Sequence, residues 1–340
     1  MKSFLYFWHP NFTKEMIRIG VIGTGHLGKI HLQLLKNNPN FELVGFFDID
    51  KTVCEKVAHD FQVPFYNSIE DLISSVDAVD IVTPTPSHFE IAKLAITQLK
   101  HVFIEKPVTE TLEQAKYLSK LVQEADVIAQ VGHVERFNPA LLAIKGKTYE
   151  PVFLEVHRLA QWNPRGTDVS VVLDLMIHDI DIILSLVKST VKKVFANGVS
   201  VISVTPDIAN ARIEFHNGTV ANLTASRISM KNMRKLRFFQ KNAYISVDFL
   251  DKKTEIINIH ENETNIKNLS MAHKFEFNGK TKYLEIEYPN IPAVNSIGLE
   301  LEDFAKCIQE KSTPKVSIDD GYKALSLAYQ VIESIGNYAV

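Results

Sequence analysis

The sequence predicts an α/β chain in two parts, a doubly wound parallel sheet followed by a second α/β domain with a large, mostly antiparallel open sheet. Three observations carry that expectation. From Ile17 to Val131, short apolar runs alternate with stretches whose apolar residues recur every three or four positions. Beyond Asn138 the rhythm becomes β-rich and turn-punctuated. A glycine-patterned loop, GVIGTGHLGKIH, joins the first apolar run to the first helical one. At 340 residues the chain is too long for one ordinary core, and its 46% hydrophobic and 23% charged composition suits a protein that buries a large one.

In the first part, residues 17–23, 41–48, 78–84, 101–107 and 127–132 read as strands. The segments HLGKIHLQLLKNN, KTVCEKVAHDF, SHFEIAKLAITQL and TLEQAKYLSKLVQEA lie between them, each with an apolar face at helical spacing. In the second part, VFLEVHRLAQW, VKKVFANGVSV, ARIEFHNGTVANLTASRIS, LRFFQKNAYISVDFL, KTEIINIHE, HKFEFNG and KYLEIEYP read as strands. Turns are expected at Asn197-Gly198, Asn217-Gly218 and Asn278-Gly279. One apolar helix is predicted over 169–187, and two more over 296–310 and 319–336 end the chain. Residues 1–15 read as an extension, 16–137 as a nucleotide-binding domain, and 138–340 as a substrate and assembly domain whose last helices could pack back on the first.

Bulk properties narrow the function. With 37 Lys and Arg against 40 Asp and Glu, the net charge of -3 gives no general attraction to nucleic acid or to an anionic membrane. No apolar run approaches the ~20 residues of a membrane span. The opening MKSFLYFWHPNFTKE is broken by His9-Pro10 and lacks a cleavage site, so it does not read as a signal peptide. Cys54 and Cys307 fit no disulfide framework or Cys-x-x-Cys pattern, and a cytoplasmic location is expected.

Gly23-Thr24-Gly25-His26-Leu27-Gly28 is weak evidence by itself, but it follows a strand and opens a helix. In that setting its backbone N–H groups and the helix N-terminus face a pyrophosphate. Gly23 permits the turn, Gly25 lets phosphate approach, and Gly28 allows helix and strand to pack closely. The next strand ends in Asp48, 20 residues after Gly28, where a carboxylate would accept the adenosine ribose hydroxyls and repel a 2′-phosphate. NAD is therefore expected over NADP.

Thr83, Pro84 and His88 of TPTPSHFE, and Glu105 and Lys106 of FIEKP, sit at the carboxyl ends of strands, the edge where such sheets bind ligands. They complete the candidate cofactor set, with Lys106 also able to meet a substrate hydroxyl. Ser87 is expected to cap the following helix. On the 169–187 helix, Asp174, His178, Asp181 and Ser185 fall on one stripe. The stripe fits either a solvated face or a cleft in which Asp174 raises the basicity of His178 for proton exchange. A metal held by His178, Asp179 and Asp181 is disfavoured because neighbouring helix residues diverge.

Together these motifs, with GHVERFNP, DLMIHDID, ELEDFAKCI and GYKALSLAYQVIESI in this order, resemble the glucose-fructose oxidoreductase and inositol dehydrogenase family, Gfo/Idh/MocA. The likeness runs from about Ile17 to the C-terminus. It implies an N-terminal Rossmann domain and NAD(P)-linked oxidation of a secondary alcohol on a sugar, cyclitol or nucleotide-sugar. It also implies a homodimer or homotetramer formed through the C-terminal sheet. By the resemblance Lys106 matches the motif lysine near the nicotinamide, and Asp174 and His178 match the paired acid and histidine. The run DVSVV before Asp174 and Asn295-Ser296-Ile297 depart from the family pattern. GHVERFNP with the 169–187 helix is similar to members acting on UDP-N-acetyl amino sugars. Arg136, Asn138, Arg158, Trp162 and Arg165 are candidates to line the substrate cleft, where arginines would clamp phosphate and Trp162 stack on a ring. A non-catalytic NAD-binding regulator on the same fold is the alternative, and it would have no need of Lys106, Asp174 and His178.

Overall fold

The computed structural model describes residues 15–163, 169–266 and 268–336. The expected extension lies, but for Glu15, outside the described residues, as does Arg165.

The first five strands, β1 (Ile17–Ile22), β2 (Phe41–Phe47), β3 (Ala78–Ile81), β4 (His101–Glu105) and β5 (Ala129–Gly132), form one parallel sheet in the order β2-β1-β3-β4-β5. Helices cover both faces, as an all-parallel sheet requires. On one face α1 (His26–Lys36) and α2 (Lys51–Phe61) pack Leu32, Leu35 and Val57 against Ile19, Val21 and Phe103. On the other lie α3 (Ile69–Ser74), α4 (His88–Thr97) and α5 (Leu112–Ala125). The short α3 has too few residues to show a helical period; Ser68 starts it by accepting the Asp71 N–H. Ser87 does not cap α4. Its hydroxyl lies 2.7 Å from Thr83 Oγ1 and 2.8 Å from the Pro84 carbonyl, which closes the loop on itself.

After the short α6 (Pro139–Leu142) the chain enters a nine-stranded sheet. In chain order its strands are β6 (Phe153–Leu159), β7 (Val191–Val199), β8 (Ile208–Phe215), β9 (Val220–Ser226), β10 (Met233–Gln240), β11 (Ala243–Asp248), β12 (Lys253–His260), β13 (Ala272–Phe277) and β14 (Lys280–Glu287). All pairings are antiparallel except β6 with β9. Gly218 and Gly279 occupy left-handed turn positions at φ +87° and +69°, as expected. Asn197-Gly198 differs: it lies inside β7, where a Cβ on Gly198 would come within 2.8 Å of Ile335. Close helix packing, not a turn, requires that glycine.

Between β6 and β7, Val172–Met176 form a π-turn that runs into α7 (Ile177–Leu186). The last helix, α9 (Ile318–Gly336), packs with α7, α5 and β7, so Ile180, Leu325 and Ala328 share one core with Ile104, Val131, Leu223 and Phe238. By contrast α8 (Ser296–Glu310) returns to the first domain. Its Phe304 meets Phe103 edge-on at 5.9 Å and stacks on Phe41 at 6.4 Å. Gln130 of β5 donates to the Glu300 carbonyl at 2.8 Å. Among the described residues no helix is long and apolar enough to cross a membrane.

Candidate active site

The strand order sets out the candidate residues along one edge of the parallel sheet. Asp48 follows β2, the glycine loop follows β1, Thr83 and Pro84 follow β3, and Glu105 and Lys106 end β4. A cavity of about 790 Å³ joins them. Gly23, Gly25, His26 and Leu27 form one wall, Asp48 one end, and Thr83, Pro84, Glu105 and Lys106 the remainder. Gly28 and His88 do not line it but build it. A Cβ on Gly28 would lie 2.0 Å from the Gly23 carbonyl, so only glycine lets α1 sit this close to the loop. His88 is buried with Nδ1 3.0 Å from the Pro107 carbonyl and Nε2 2.8 Å from the Thr83 carbonyl, which pins the two loops together. Its predicted contact with cofactor is thereby corrected to a supporting one.

The residues fit a dinucleotide. The first turn of α1 has no side-chain cap and no acid, so its amide groups are available to an anion. Among the described residues nothing lies within 4 Å of where a Gly25 Cβ would sit, so the backbone is approachable there. Thr24 donates to Asp48 Oδ2 from both its N–H, at 2.7 Å, and its hydroxyl, at 2.8 Å, which fixes the carboxylate at the cavity end. Ile49, beside it and 92% exposed, also lines the cavity, as do Ile69 and Ile91. These apolar contacts escaped sequence reasoning, because single apolar residues after a strand carry no pattern.

At the other end, the Lys106 ammonium donates to the Asp174 carbonyl at 2.8 Å and lies 3.6 Å from its carboxylate. Burial lowers the Lys106 pKa, against the opposing pull of Asp174 and Glu105. Asp174 thus engages the lysine, which corrects the expectation that it raises the basicity of His178. Among the described residues His178 has a buried Nδ1 without a partner, and its pKa is pushed well below the usual histidine range, by burial first and then by the Lys106 and Arg158 charges. It is a neutral imidazole at pH 7. His133, at the end of β5, meets it edge-on at 6.3 Å and is itself buried, unpartnered and lowered by burial. GHVERFNP held this residue in view, yet nothing in its spacing marked the histidine. The remainder of the predicted stripe is occupied otherwise: Asp181 accepts from Arg136 Nε at 2.8 Å and Ser185 donates to the Ile182 carbonyl.

The expected substrate residues separate. Arg158 is buried between Asp179 and Glu135, with contacts of 2.8 to 3.1 Å that engage its Nε and both Nη atoms. Asn138 is buried too: it caps α6 by accepting the Ala140 N–H, and donates to Glu135 and the Phe249 carbonyl. Both are structural residues, because their polar atoms are already committed inside the protein. Arg136 is tied to Asp181 and lines a separate small pocket with Lys145, Lys147 and Lys315. Trp162 is 40% exposed and outside the cofactor cavity.

Fold and site together define a two-domain oxidoreductase that works with a nicotinamide dinucleotide. The chain belongs to the Gfo/Idh/MocA oxidoreductase family: residues 17–133 match its NAD-binding Rossmann fold and 141–338 its C-terminal alpha/beta domain. It is 39% identical over 241 residues to UDP-N-acetylglucosamine 3-dehydrogenase of Acidithiobacillus ferrooxidans, covering 71% of this chain and 76% of that one. The crystal structure of an A. ferrooxidans UDP-N-acetylglucosamine 3-dehydrogenase, GnnA, superposes with a TM-score of 0.86 at 33% identity, over 95% of this chain and 99% of the other. A scyllo-inositol 2-dehydrogenase (NAD(+)) of Bacillus subtilis is 28% identical over 349 aligned positions, 95% of each chain.

Proposed function

We propose that this protein is an NAD-preferring dehydrogenase that oxidises a ring hydroxyl of a UDP-N-acetyl amino sugar, at the 3-position. The observation that carries the chemistry is the meeting of Lys106 with Asp174 at the β4 end of the cofactor cavity. The likeness in sequence and fold to UDP-N-acetylglucosamine 3-dehydrogenase supports the substrate.

When bound, the nicotinamide supplies the acceptor for the hydride that leaves the carbinol carbon. Asp48 would hold the adenosine ribose, and its carboxylate would disfavour the 2′-phosphate of NADP. Lys106 donates to the reacting oxygen and stabilises its developing negative charge. Asp174 keeps the ammonium aimed. His178, neutral in the folded protein, takes the hydroxyl proton. Two unpaired cysteines, Cys54 and Cys307, suit work in the reducing cytosol. The outward face of the nine-stranded sheet, with Phe195 44% and Phe239 40% exposed, is the surface through which copies would assemble as a dimer or tetramer.

The test is turnover, read as absorbance of reduced nicotinamide, on UDP-N-acetylglucosamine, UDP-glucose, scyllo-inositol and myo-inositol. Preference for UDP-N-acetylglucosamine supports the proposal. Activity confined to the inositols would place the substrate with the second relative, and no activity on any of them would overturn the assignment.

A further inference from the structure

Behind the Glu105 and Lys106 end of the cavity lies a chain of titratable side chains that the mechanism does not use. His31 of α1 is fully buried, with Nδ1 2.8 Å from Asp80 Oδ2 on β3 and Nε2 3.5 Å from Glu105 Oε1 on β4. Phe103 closes on the imidazole edge-on at 5.8 Å. From β5, the Gly132 backbone approaches so closely that a Cβ there would lie 2.8 Å from the Glu105 carboxyl carbon. Glu105 Oε2 accepts the Lys106 N–H at 3.2 Å. From α8, Glu300 adds a third acid, fully buried and with neither carboxyl oxygen partnered among the described residues.

Asp80 and Glu105 share one imidazole, and Glu300 lies within the field of both, so charge on one acid opposes charge on the others. Asp80 makes the short contact with His31, at 2.8 Å. Burial opposes charge on His31, but Asp80, and after it Glu105, outweigh that and raise its pKa, which favours the protonated ring. Glu105 is left at the longer distance. Burial lifts its pKa to about 7, opposed by His31 and Lys106 and reinforced by Asp80. Glu300 is raised well above the carboxylate range by burial and by Glu105, Asp80, Asp181 and Asp303.

The placement of this cluster gives it a consequence for the cofactor. With the adenosine at Asp48 after β2 and the pyrophosphate at the glycine loop after β1, the nicotinamide half would extend across β3 to β4. Three strand spacings make roughly 14 Å, which a dinucleotide spans. Glu105 therefore faces the end of the cofactor whose charge changes in the reaction.

We propose that Asp80, His31 and Glu105 form a proton-holding device that couples the redox form of the cofactor to one proton. In the free protein Glu105 is held partly as the neutral acid. Binding of the cationic oxidised nicotinamide favours the carboxylate, and the proton goes to solvent: Glu105–COOH becomes Glu105–COO⁻ plus H⁺. The neutral reduced form leaves the proton in place. His31 and Asp80 are positioning residues here, acting through Glu105. The proposal rests on the dinucleotide reading of the cavity.

The experiment is calorimetric titration of the full chain with NAD⁺ and with NADH, each in two buffers of different ionisation heat, between pH 6 and 8. NAD⁺ is expected to release about half a proton at pH 7, and its affinity to rise by up to about tenfold per pH unit below that point. NADH is expected to release almost none and to bind with a flat pH profile. In Glu105→Gln, the NAD⁺ binding that remains should show neither the proton release nor the pH slope. In His31→Gln the loss of the imidazolium should move the release to higher pH. Equal release for both nucleotides, or release that persists in Glu105→Gln, would overturn the proposal. Should a variant fail to fold, the comparison of the two nucleotides on the unaltered protein decides by itself. Binding of neither nucleotide would instead defeat the dinucleotide reading.

Discussion

Lys106 and Asp174 join the two domains: the ammonium at the end of β4 is held 2.8 Å from a carbonyl of the second domain's π-turn and 3.6 Å from the same residue's carboxylate. If the acid acts through the lysine, Lys106→Met should lower kcat by ~10²-fold or more, the range of general acid–base effects. Asp174→Asn should lower it less, and the double variant should match Lys106→Met. Steady-state kinetics on the true substrate checks this. Additive losses would show that Asp174 works through something else.

His178 should behave as an independent group. With no side-chain hydrogen bond to Asp174 on which to depend, His178→Ala combined with Asp174→Asn is expected to lose the product of the two single effects, each read as kcat. Cofactor affinity, measured by titration, should stay near its starting value in both.

Asp48 decides the cofactor. Asp48→Ala should weaken NAD binding and narrow the preference over NADP, measured as the ratio of the two Kd values. A parent protein that binds both equally would remove the carboxylate from selectivity.

Glu300 offers a pH test of stability. Its folded pKa is raised well above the ordinary value, so the folded protein holds a proton that the unfolded chain releases above about pH 4.5. The native residue therefore loses stability as pH rises from there toward its folded pKa, by up to about 1.4 kcal/mol per pH unit. Glu300→Gln does not titrate. The variant should match the parent in Tm near pH 5 and exceed it increasingly toward pH 8.

Arg158 should prove structural. Arg158→Met leaves Asp179 buried without its ion-pair partner and Glu135 with only Arg234, at 3.6 Å, a change that costs about 3–5 kcal/mol. A large fall in Tm with an unchanged KM in the folded fraction is expected. A raised KM at unchanged Tm would return Arg158 to the substrate.

Much of this was legible because the signals were periodic or contextual. Alternating strands and helices from β1 to β5 gave the parallel sheet, and the glycine loop with Asp48 marked the cavity that the structure contains. What escaped was set by packing across long separations. The sequence spacing of Asp174 and His178 put them on one helical face, but the partner of Asp174 comes from a strand 68 residues earlier. Arg158 looked like a free cation until β6 and α7 buried it. His31 and Glu300 stood at the edges of GVIGTGHLGKIH and ELEDFAKCI, but nothing in those runs singled them out, since their meaning lies in burial beside Asp80 and Glu105. Gly198 resembled a turn because Asn-Gly usually makes one, whereas here Ile335 needs its bare surface.

The return of α8 to the first domain bears on how the protein is made. Phe304 and Leu301 belong to the same cluster as Ile19, Leu32 and Phe103, yet they are translated almost 200 residues after β4. While the ribosome is still making the second domain, the nucleotide-binding half has an apolar surface open to water, and chaperones or the nascent chain itself must shield it. The wound sheet closes only when α8 emerges, so the half that begins first is finished near the end. A gene cut between the two domains would leave its upstream product in that unfinished state, sticky and prone to associate.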